Sequence, residues 1–141
     1  SESGEDAEMI ADYFSILSDT TKSIAERFVA VLYFGQQRNQ ESLEYLVQGL
    51  FHDSSPIVRH ECAFHLGKRL DSRGIVAPLL QRAIESDSSL FVQHEALIAL
   101  GDVGDLSYLP FIERYLTSTV VEIRESAAIA SATLRLRYER S

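Results

Sequence analysis

Two His-Glu pairs are the part of this sequence whose residue types and spacing could do chemistry. His60-Glu61 and His94-Glu95 lie 34 residues apart. Two imidazoles and a carboxylate, with coordination positions left open, form the ligand set of non-haem Fe(II) oxygenases. The same donors also suit zinc. We therefore predict a metal site with the ligands His60, Glu61, His94 and Glu95, and we assign no catalytic residue beyond them.

A purely structural interpretation of these residues has to be weighed first. A glutamate at this position of a repeat helix is ordinary surface, so Glu61 and Glu95 alone would indicate little. Histidine, however, accounts for only 4 of 141 residues, and two of the four occupy one repeat position. Neighbouring positions have diverged, for example Arg59 against Gln93. A shared histidine within a diverged background favours metal ligation.

The pairs belong to a tandem repeat. Residues 53–67 align with residues 87–101 without a gap, and Asp, Ser, Ser, Val, His, Glu, Leu and Gly coincide. Weaker copies lie at residues 27–35 and 120–128, neither with a His-Glu pair. Equal register would aim equivalent side chains of neighbouring helices, about 8–10 Å apart, in the same direction. Repeats of this length are typical of stacked helical hairpins.

The apolar spacing and the turn residues predict helices throughout. Pro56 suits a helix start, where its missing N–H is harmless, and Ser54 or Ser55 is a candidate cap. The predicted segments are a leading helix over 6–17, the partner helix 41–51, the helix from Pro56 to about Gly67, an apolar stripe over 75–84, a stripe over 109–116 and a last helix over 120–137. We predict an all-α, HEAT-like helical-hairpin solenoid (an α-α superhelix) of about four repeats, forming one domain over residues 1–141.

Composition limits the cellular setting and the partners. There is no apolar run long enough for a membrane span, the acidic N-terminus is unlike a signal peptide, and a lone cysteine fits a reducing compartment. We therefore expect a cytoplasmic protein with no membrane partner. The net charge of −8 comes without a basic stripe, which argues against nucleic acid and favours a cationic partner, such as a basic protein or an amine substrate.

Several segments resemble deoxyhypusine hydroxylase in order along the chain. Residues 26–32 are similar to that family's opening Arg-Phe-x-Ala-Leu helix, and residues 51–61 resemble its Phe-Asp-Asp-x-Ser-x-Leu-Leu-Lys-His-Glu segment. Residues 92–96, 100–105 and 120–123 match as well. The resemblance implies a HEAT-repeat fold of two similar halves, each with two His-Glu pairs. Together the halves hold a non-haem di-iron centre that activates O2 and hydroxylates a deoxyhypusine side chain on a translation factor.

Only one half of that enzyme is represented in this sequence. The resemblance carries ligand roles to His60, Glu61, His94 and Glu95, with some of the carboxylates meeting a substrate amine instead. A two-fold homodimer would double the ligands, and this arrangement predicts two irons per dimer site. The leading hypothesis is thus an iron-dependent monooxygenase. The alternatives are a non-catalytic interaction scaffold and a subunit of a chromophore lyase, a HEAT-like class that shares the repeat pattern.

Overall fold

The computed structural model describes residues 2–139, with side chains from residue 4 onward. Every regular element in this range is helical. The α-helices are α1 (Glu2–Leu17), α2 (Ile24–Gln36), α3 (Gln40–His52), α4 (Pro56–Leu66), α5 (Arg73–Ser86), α6 (Leu90–Val103), α7 (Leu109–Glu113) and α8 (Val121–Tyr138). Two short 3₁₀ turns, Leu70–Ser72 and Leu106–Tyr108, precede α5 and α7. The predicted all-α class is confirmed.

The described chain forms two compact units, one up to Cys62 and one from Ala63 onward. Helix α4 contains the boundary between them. The single domain over residues 1–141 stays a prediction, and each unit is described by itself below. None of the described helices combines the length and the apolarity that crossing a bilayer requires.

The first unit is built by α1, α2 and α3, which pack on one another. Its core is apolar because the helices place branched and aromatic residues at helical spacing. The most buried members are Ala30, Val31, Phe34, Leu43, Leu46 and Leu50. Tyr13 of α1 stacks on Tyr33 of α2 with ring centroids 4.3 Å apart. Helix α2 begins where Ser23 accepts a hydrogen bond from the backbone N–H of Glu26, at 3.1 Å.

In the second unit α6 is the central helix, packed against α5 on one side and α8 on the other. Its buried core residues include Val76, Leu80, Val92, Ala96, Leu97, Leu100 and Leu134. Gly101 of α6 lies against α8 so closely that an added Cβ would be 2.7 Å from the Cα of Ala130. Small residues at this crossing let α6 and α8 approach, and they bring the side chains at the start of both helices together.

The predicted helix boundaries hold within four residues, and the two largest differences are the start of α1 at Glu2 and the end of α7. The stripe over 109–116 indicated a helix of that length, but α7 ends at Glu113. Beyond it, the amides of Tyr115 and Leu116 donate to the carbonyls of Ile112 and Glu113, at 3.0 and 3.1 Å. These bonds span three residues, so the chain tightens into a 3₁₀-type turn instead of continuing as an α-helix.

Candidate metal centre

The first His-Glu pair lies near the start of α4. Pro56 opens that helix, as predicted. Asp53 holds the preceding loop, since its Oδ1 accepts from the Ser55 amide at 2.9 Å and its carbonyl accepts from Arg59 Nη1 at 2.9 Å. One turn into the helix, His60 Nδ1 lies 3.9 Å from Glu61 Oε2, and the two side chains are 18% and 16% exposed. The start of α4 is thus held by hydrogen bonds within this segment.

The second pair lies at the same place in α6, behind the same loop. Asp87 Oδ1 accepts from the Ser89 amide at 2.9 Å, and the Asp87 carbonyl accepts from Gln93 Nε2 at 2.5 Å. His94 Nε2 lies 3.8 Å from Glu95 Oε2, with side chains 34% and 12% exposed. In this pair the facing nitrogen is Nε2, whereas in His60 it is Nδ1.

The other ring nitrogen of His94 contacts the neighbouring helix. His94 Nδ1 lies 2.6 Å from the hydroxyl of Ser126 on α8. That hydroxyl also donates to the carbonyl oxygen of Glu122, at 2.6 Å. Ser126 is buried, with 1% of its surface exposed. The His94 ring is therefore oriented by α8.

A pocket of about 550 Å³ opens beside His94, between the first turns of α6 and α8. It is lined by Leu90, Phe91, His94, Glu122, Glu125, Ser126 and Ile129. Three of these side chains are large, apolar and about half exposed, namely Leu90, Phe91 and Ile129. The pocket thus combines apolar walls with two carboxylates and the ring of a predicted ligand.

The single cysteine and the other two histidines lie outside the predicted ligand set. Cys62 is fully buried, and this burial, with smaller contributions from Asp53 and Glu61, raises the pKa of its thiol. His65 packs edge-on against Phe64 with ring centroids 5.1 Å apart. His52 is the last residue of α3 and lines a different pocket of the first unit.

Asp102 is a partly buried acidic residue near the end of α6. Partial burial is the main cause that raises the pKa of its carboxyl, and the negative Glu95 raises it further. Lys68 and Arg137 act in the opposite direction and offset part of the shift. Burial is thus the main reason why the pKa of Asp102 is raised.

The structure places each histidine next to its own glutamate, at nearly equal distances in the two pairs. Joint coordination of one ion by both pairs stays a prediction. The contribution of Ser126 on α8 was not predicted, because the copy at residues 120–128 has no His-Glu pair. The register could have indicated it, because Ser126 stands at the position of Glu95 in the next copy, 31 residues later, and a hydroxyl there can hold the ring of the preceding repeat.

Comparison with known proteins agrees with this architecture. The family model for HEAT repeats matches residues 43–132. Deoxyhypusine hydroxylase of Gallus gallus is 34% identical over 123 residues, which is 87% of this chain and 40% of that protein. Deoxyhypusine hydroxylase of Candida albicans is 33% identical over 108 residues, 75% of this chain and 32% of that protein.

A solved structure gives the same match in three dimensions. Human deoxyhypusine hydroxylase in complex with glycerol superposes with a TM-score of 0.83 at 25% identity, covering 99% of this chain and 48% of that one. The chain thus spans well under two thirds of the length of these relatives. The chain belongs to the HEAT-repeat family, and over most of its length it is similar to a part of deoxyhypusine hydroxylase.

Proposed function

We propose that this chain is an O2-activating, non-haem iron hydroxylase whose ligands come from its two His-Glu pairs. The observation that carries the proposal is the distance within each pair, 3.9 Å for His60 Nδ1–Glu61 Oε2 and 3.8 Å for His94 Nε2–Glu95 Oε2. Two atoms that each lie about 2.1 Å from one ion are at most about 4.2 Å apart. Both pairs are within that limit, and both are too wide for a hydrogen bond.

The chemistry of the donors also fits iron. The proposed set combines His60, His94 and Glu95 with Glu61, which shares the register of Glu95. Imidazole nitrogen and carboxylate oxygen are the ligand types of open non-haem iron sites. All four side chains are mostly buried but keep some exposure, from 12% to 34%, which leaves access for O2 and substrate. Similarity to deoxyhypusine hydroxylases favours iron over zinc.

In this proposal the protein supplies ligands, orientation and a sheltered pocket. Iron, when bound, supplies the activation of O2 that hydroxylation of a C–H bond requires. The four side chains leave coordination positions open, and Ser126 of α8 orients the His94 ring. The carboxylates of the pocket neutralise a positively charged substrate group beside the ligands.

Iron loading tests this function directly. The protein is reduced, loaded with Fe(II) without oxygen, desalted, analysed for iron, and then exposed to O2 while its visible spectrum is recorded. Bound iron and a new visible absorption band are expected. His60→Ala/His94→Ala should lose both, whereas the matched control His52→Ala/His65→Ala should keep both. A protein that stays colourless and metal-free after loading would contradict the proposal.

A second part of the proposal is a homodimer with two irons per site. The similarity covers 48% of the human deoxyhypusine hydroxylase chain, and a two-fold partner would double the ligands to four histidines and four glutamates. Helix α8 also exposes a stripe suited to an interface. Val121 and Leu136 are 46% and 62% exposed, and the exposed Ala128 and Ala132 lie between them at helical spacing.

Oligomeric state and iron content together test the dimer. Light scattering coupled to gel filtration should show a dimer with two irons per pair of chains. Ala132→Lys/Leu136→Lys should yield monomers with lower iron content, while Thr117→Lys, which changes an exposed residue before α8, should leave the dimer intact. A wild-type protein that is strictly monomeric and still holds two irons would contradict the proposed dimer site.

The third part concerns the substrate, an alkyl amine side chain on a basic protein segment. The pocket beside His94 offers Leu90, Phe91 and Ile129 to an alkyl chain, and Glu122 and Glu125 to its ammonium group. The net charge of −8 favours approach of a basic partner. The relatives are named for deoxyhypusine, which is an amine of this class.

A binding measurement with a deoxyhypusine-bearing peptide tests this assignment. Glu122→Gln/Glu125→Gln should weaken binding by about tenfold or more, because a charged hydrogen bond typically contributes about 1.5–3 kcal/mol. Glu113→Gln is the control, since Glu113 is an exposed glutamate on α7 outside the pocket. Equal affinity of both variants and the wild type would contradict the pocket assignment and favour the scaffold alternative.

A further inference from the structure

Ser126 makes two hydrogen bonds, and only one arrangement of protons satisfies both. Its Oγ lies 2.6 Å from the carbonyl oxygen of Glu122 and 2.6 Å from Nδ1 of His94. A serine hydroxyl has one proton, and a carbonyl oxygen can only accept. The proton of Ser126 therefore goes to Glu122. Toward His94 the hydroxyl oxygen must accept, so Nδ1 carries the hydrogen.

The location of this proton decides which nitrogen can bind a metal. In a neutral imidazole one nitrogen is protonated and the other has the lone pair. With the hydrogen on Nδ1, the lone pair is on Nε2, the atom that faces Glu95 at 3.8 Å. Metal-bound histidines are commonly held in this way by a hydrogen bond from the nitrogen that does not bind the metal.

We propose that Ser126 is a positioning residue that fixes His94 in the Nδ1–H tautomer and so presents Nε2 as a ligand. This inference rests on the proposed function, because it assigns a role within the same site. The copy at residues 120–128 has no His-Glu pair, but it contributes Ser126 from the second turn of α8 to the site. At the register position where α6 carries Glu95, α8 carries the hydroxyl that holds the preceding histidine.

A serine could also act on its own helix alone, through the bond to the Glu122 carbonyl. That role would leave the His94 tautomer unchanged when the hydroxyl is removed. The burial of Ser126, 1% exposed, and the 2.6 Å contact to another helix argue for the role in positioning. The two roles are separated by a measurement that sees the ring nitrogens directly.

The experiment uses the metal-free full chain labelled with ¹⁵N-histidine, at pH 8, above the ordinary titration range of histidine. Two-bond ¹H–¹⁵N correlations identify the protonated nitrogen of His94. Nδ1–H is expected in the wild type and in Ser126→Thr, which retains the hydroxyl. In Ser126→Ala we expect a shift toward Nε2–H or a mixture of tautomers. Ser131→Ala, which removes another buried serine from α8, is the matched control and should match the wild type.

Fe(II) affinity, measured by titration, is the second measurement. Ser126→Ala should bind Fe(II) about 10- to 100-fold more weakly, as is typical for loss of a group that orients a ligand, and Ser131→Ala should bind it normally. Nε2–H in the wild type, or an unchanged tautomer and affinity in Ser126→Ala, would overturn the inference. A wild type with Nδ1–H that binds no iron would instead overturn the proposed function and leave the tautomer assignment standing.

Discussion

Residues 53–67 and residues 87–101 are tandem copies of one pattern, and much of their local geometry is copied too. In both, an aspartate accepts from the amide two residues later at 2.9 Å. In both, the side chain six residues later donates to the carbonyl of that aspartate. Both end in a glycine that meets an alanine of another helix, where an added Cβ would be 2.8 Å or 2.7 Å away.

The two imidazoles break this symmetry. His60 directs Nδ1 toward its glutamate, whereas His94 directs Nε2 toward its own. The His94 side chain is also about twice as exposed, 34% against 18%. Identical residues in identical register thus direct different ring nitrogens toward their glutamates, and the ring of His94 contacts Ser126 of α8. Register decides which residue reaches a site, and the neighbouring helix decides which atom it offers there.

The largest expected effect concerns Asp53, the aspartate that opens the first copy. Asp53 accepts two bonds from the Arg27 guanidinium, at 3.1 and 3.2 Å, and both side chains are under 10% exposed. Arg27→Met should therefore lower the free energy of unfolding by about 3–5 kcal/mol, since it leaves a buried carboxylate without its cation. Arg27→Met/Asp53→Asn should lose less. Urea denaturation measures both.

The exposed pair Lys22–Glu26, at 4.0 Å, is the control for that experiment. Lys22→Met should change the free energy of unfolding by about 0.5 kcal/mol or less, as is usual for surface ion pairs. If Arg27→Met cost no more than Lys22→Met, burial of the Arg27–Asp53 pair would not contribute as described.

The next prediction tests whether His60 and His94 contribute equally to Fe(II) binding although their rings are oriented differently. His60→Ala and His94→Ala should each weaken Fe(II) binding by more than about 100-fold, the upper end for loss of an orienting group alone. His65→Ala, one turn further along α4, should bind iron as the wild type does. An iron content that depends on only one of the two histidines would show that the pairs do not share an ion.

A smaller effect is expected at the glycines that end the two copies. Gly67→Ala and Gly101→Ala should each lower the free energy of unfolding by about 1–3 kcal/mol, since the new Cβ would overlap Ala99 or Ala130. Gly74→Ala is the matched control, because no atom lies within 4 Å of its added Cβ. It should stay within about 0.5 kcal/mol of the wild type. Equal effects of all three substitutions would refute the close approach.

The smallest effect is a pH dependence confined to the second copy, where Asp102 stands at the register of Lys68. Burial raises the pKa of the Asp102 carboxyl above 3.8. Its charged form therefore destabilises the fold, by an amount that is absent below pH 3.8 and fully present above the folded-state pKa. Asp102→Asn should be slightly more stable at pH 7, within about 0.5 kcal/mol. This gain should shrink as the pH falls toward 3.8, and urea titrations at several pH values would check it. A stability gain of Asp102→Asn that grew on acidification would contradict the raised pKa of Asp102.

The sequence predicted the helices well because their signals are local. Pro56 and the Asp-Ser-Ser turns mark helix starts, and apolar residues at helical spacing mark the buried faces of α3, α5 and α6. The prediction was wrong where the end of a helix depends on hydrogen-bond geometry, as at Glu113, since a 3₁₀-type turn has no distinct residue pattern. The candidate ligands were found from repetition of a rare residue type, which needs no coordinates.

By itself, then, the sequence determined the repeat, its register and the residue types that could bind a metal, because all three are properties of spacing along one chain. Only the tertiary structure decided that a serine of α8 meets His94, which ring nitrogen faces Glu95, and that a carboxylate-lined pocket opens beside them. The physical reason is that hydrogen-bond donors, tautomers and cavities depend on atoms from different helices, and their distances are set by the packing of small residues such as Gly101 against Ala130.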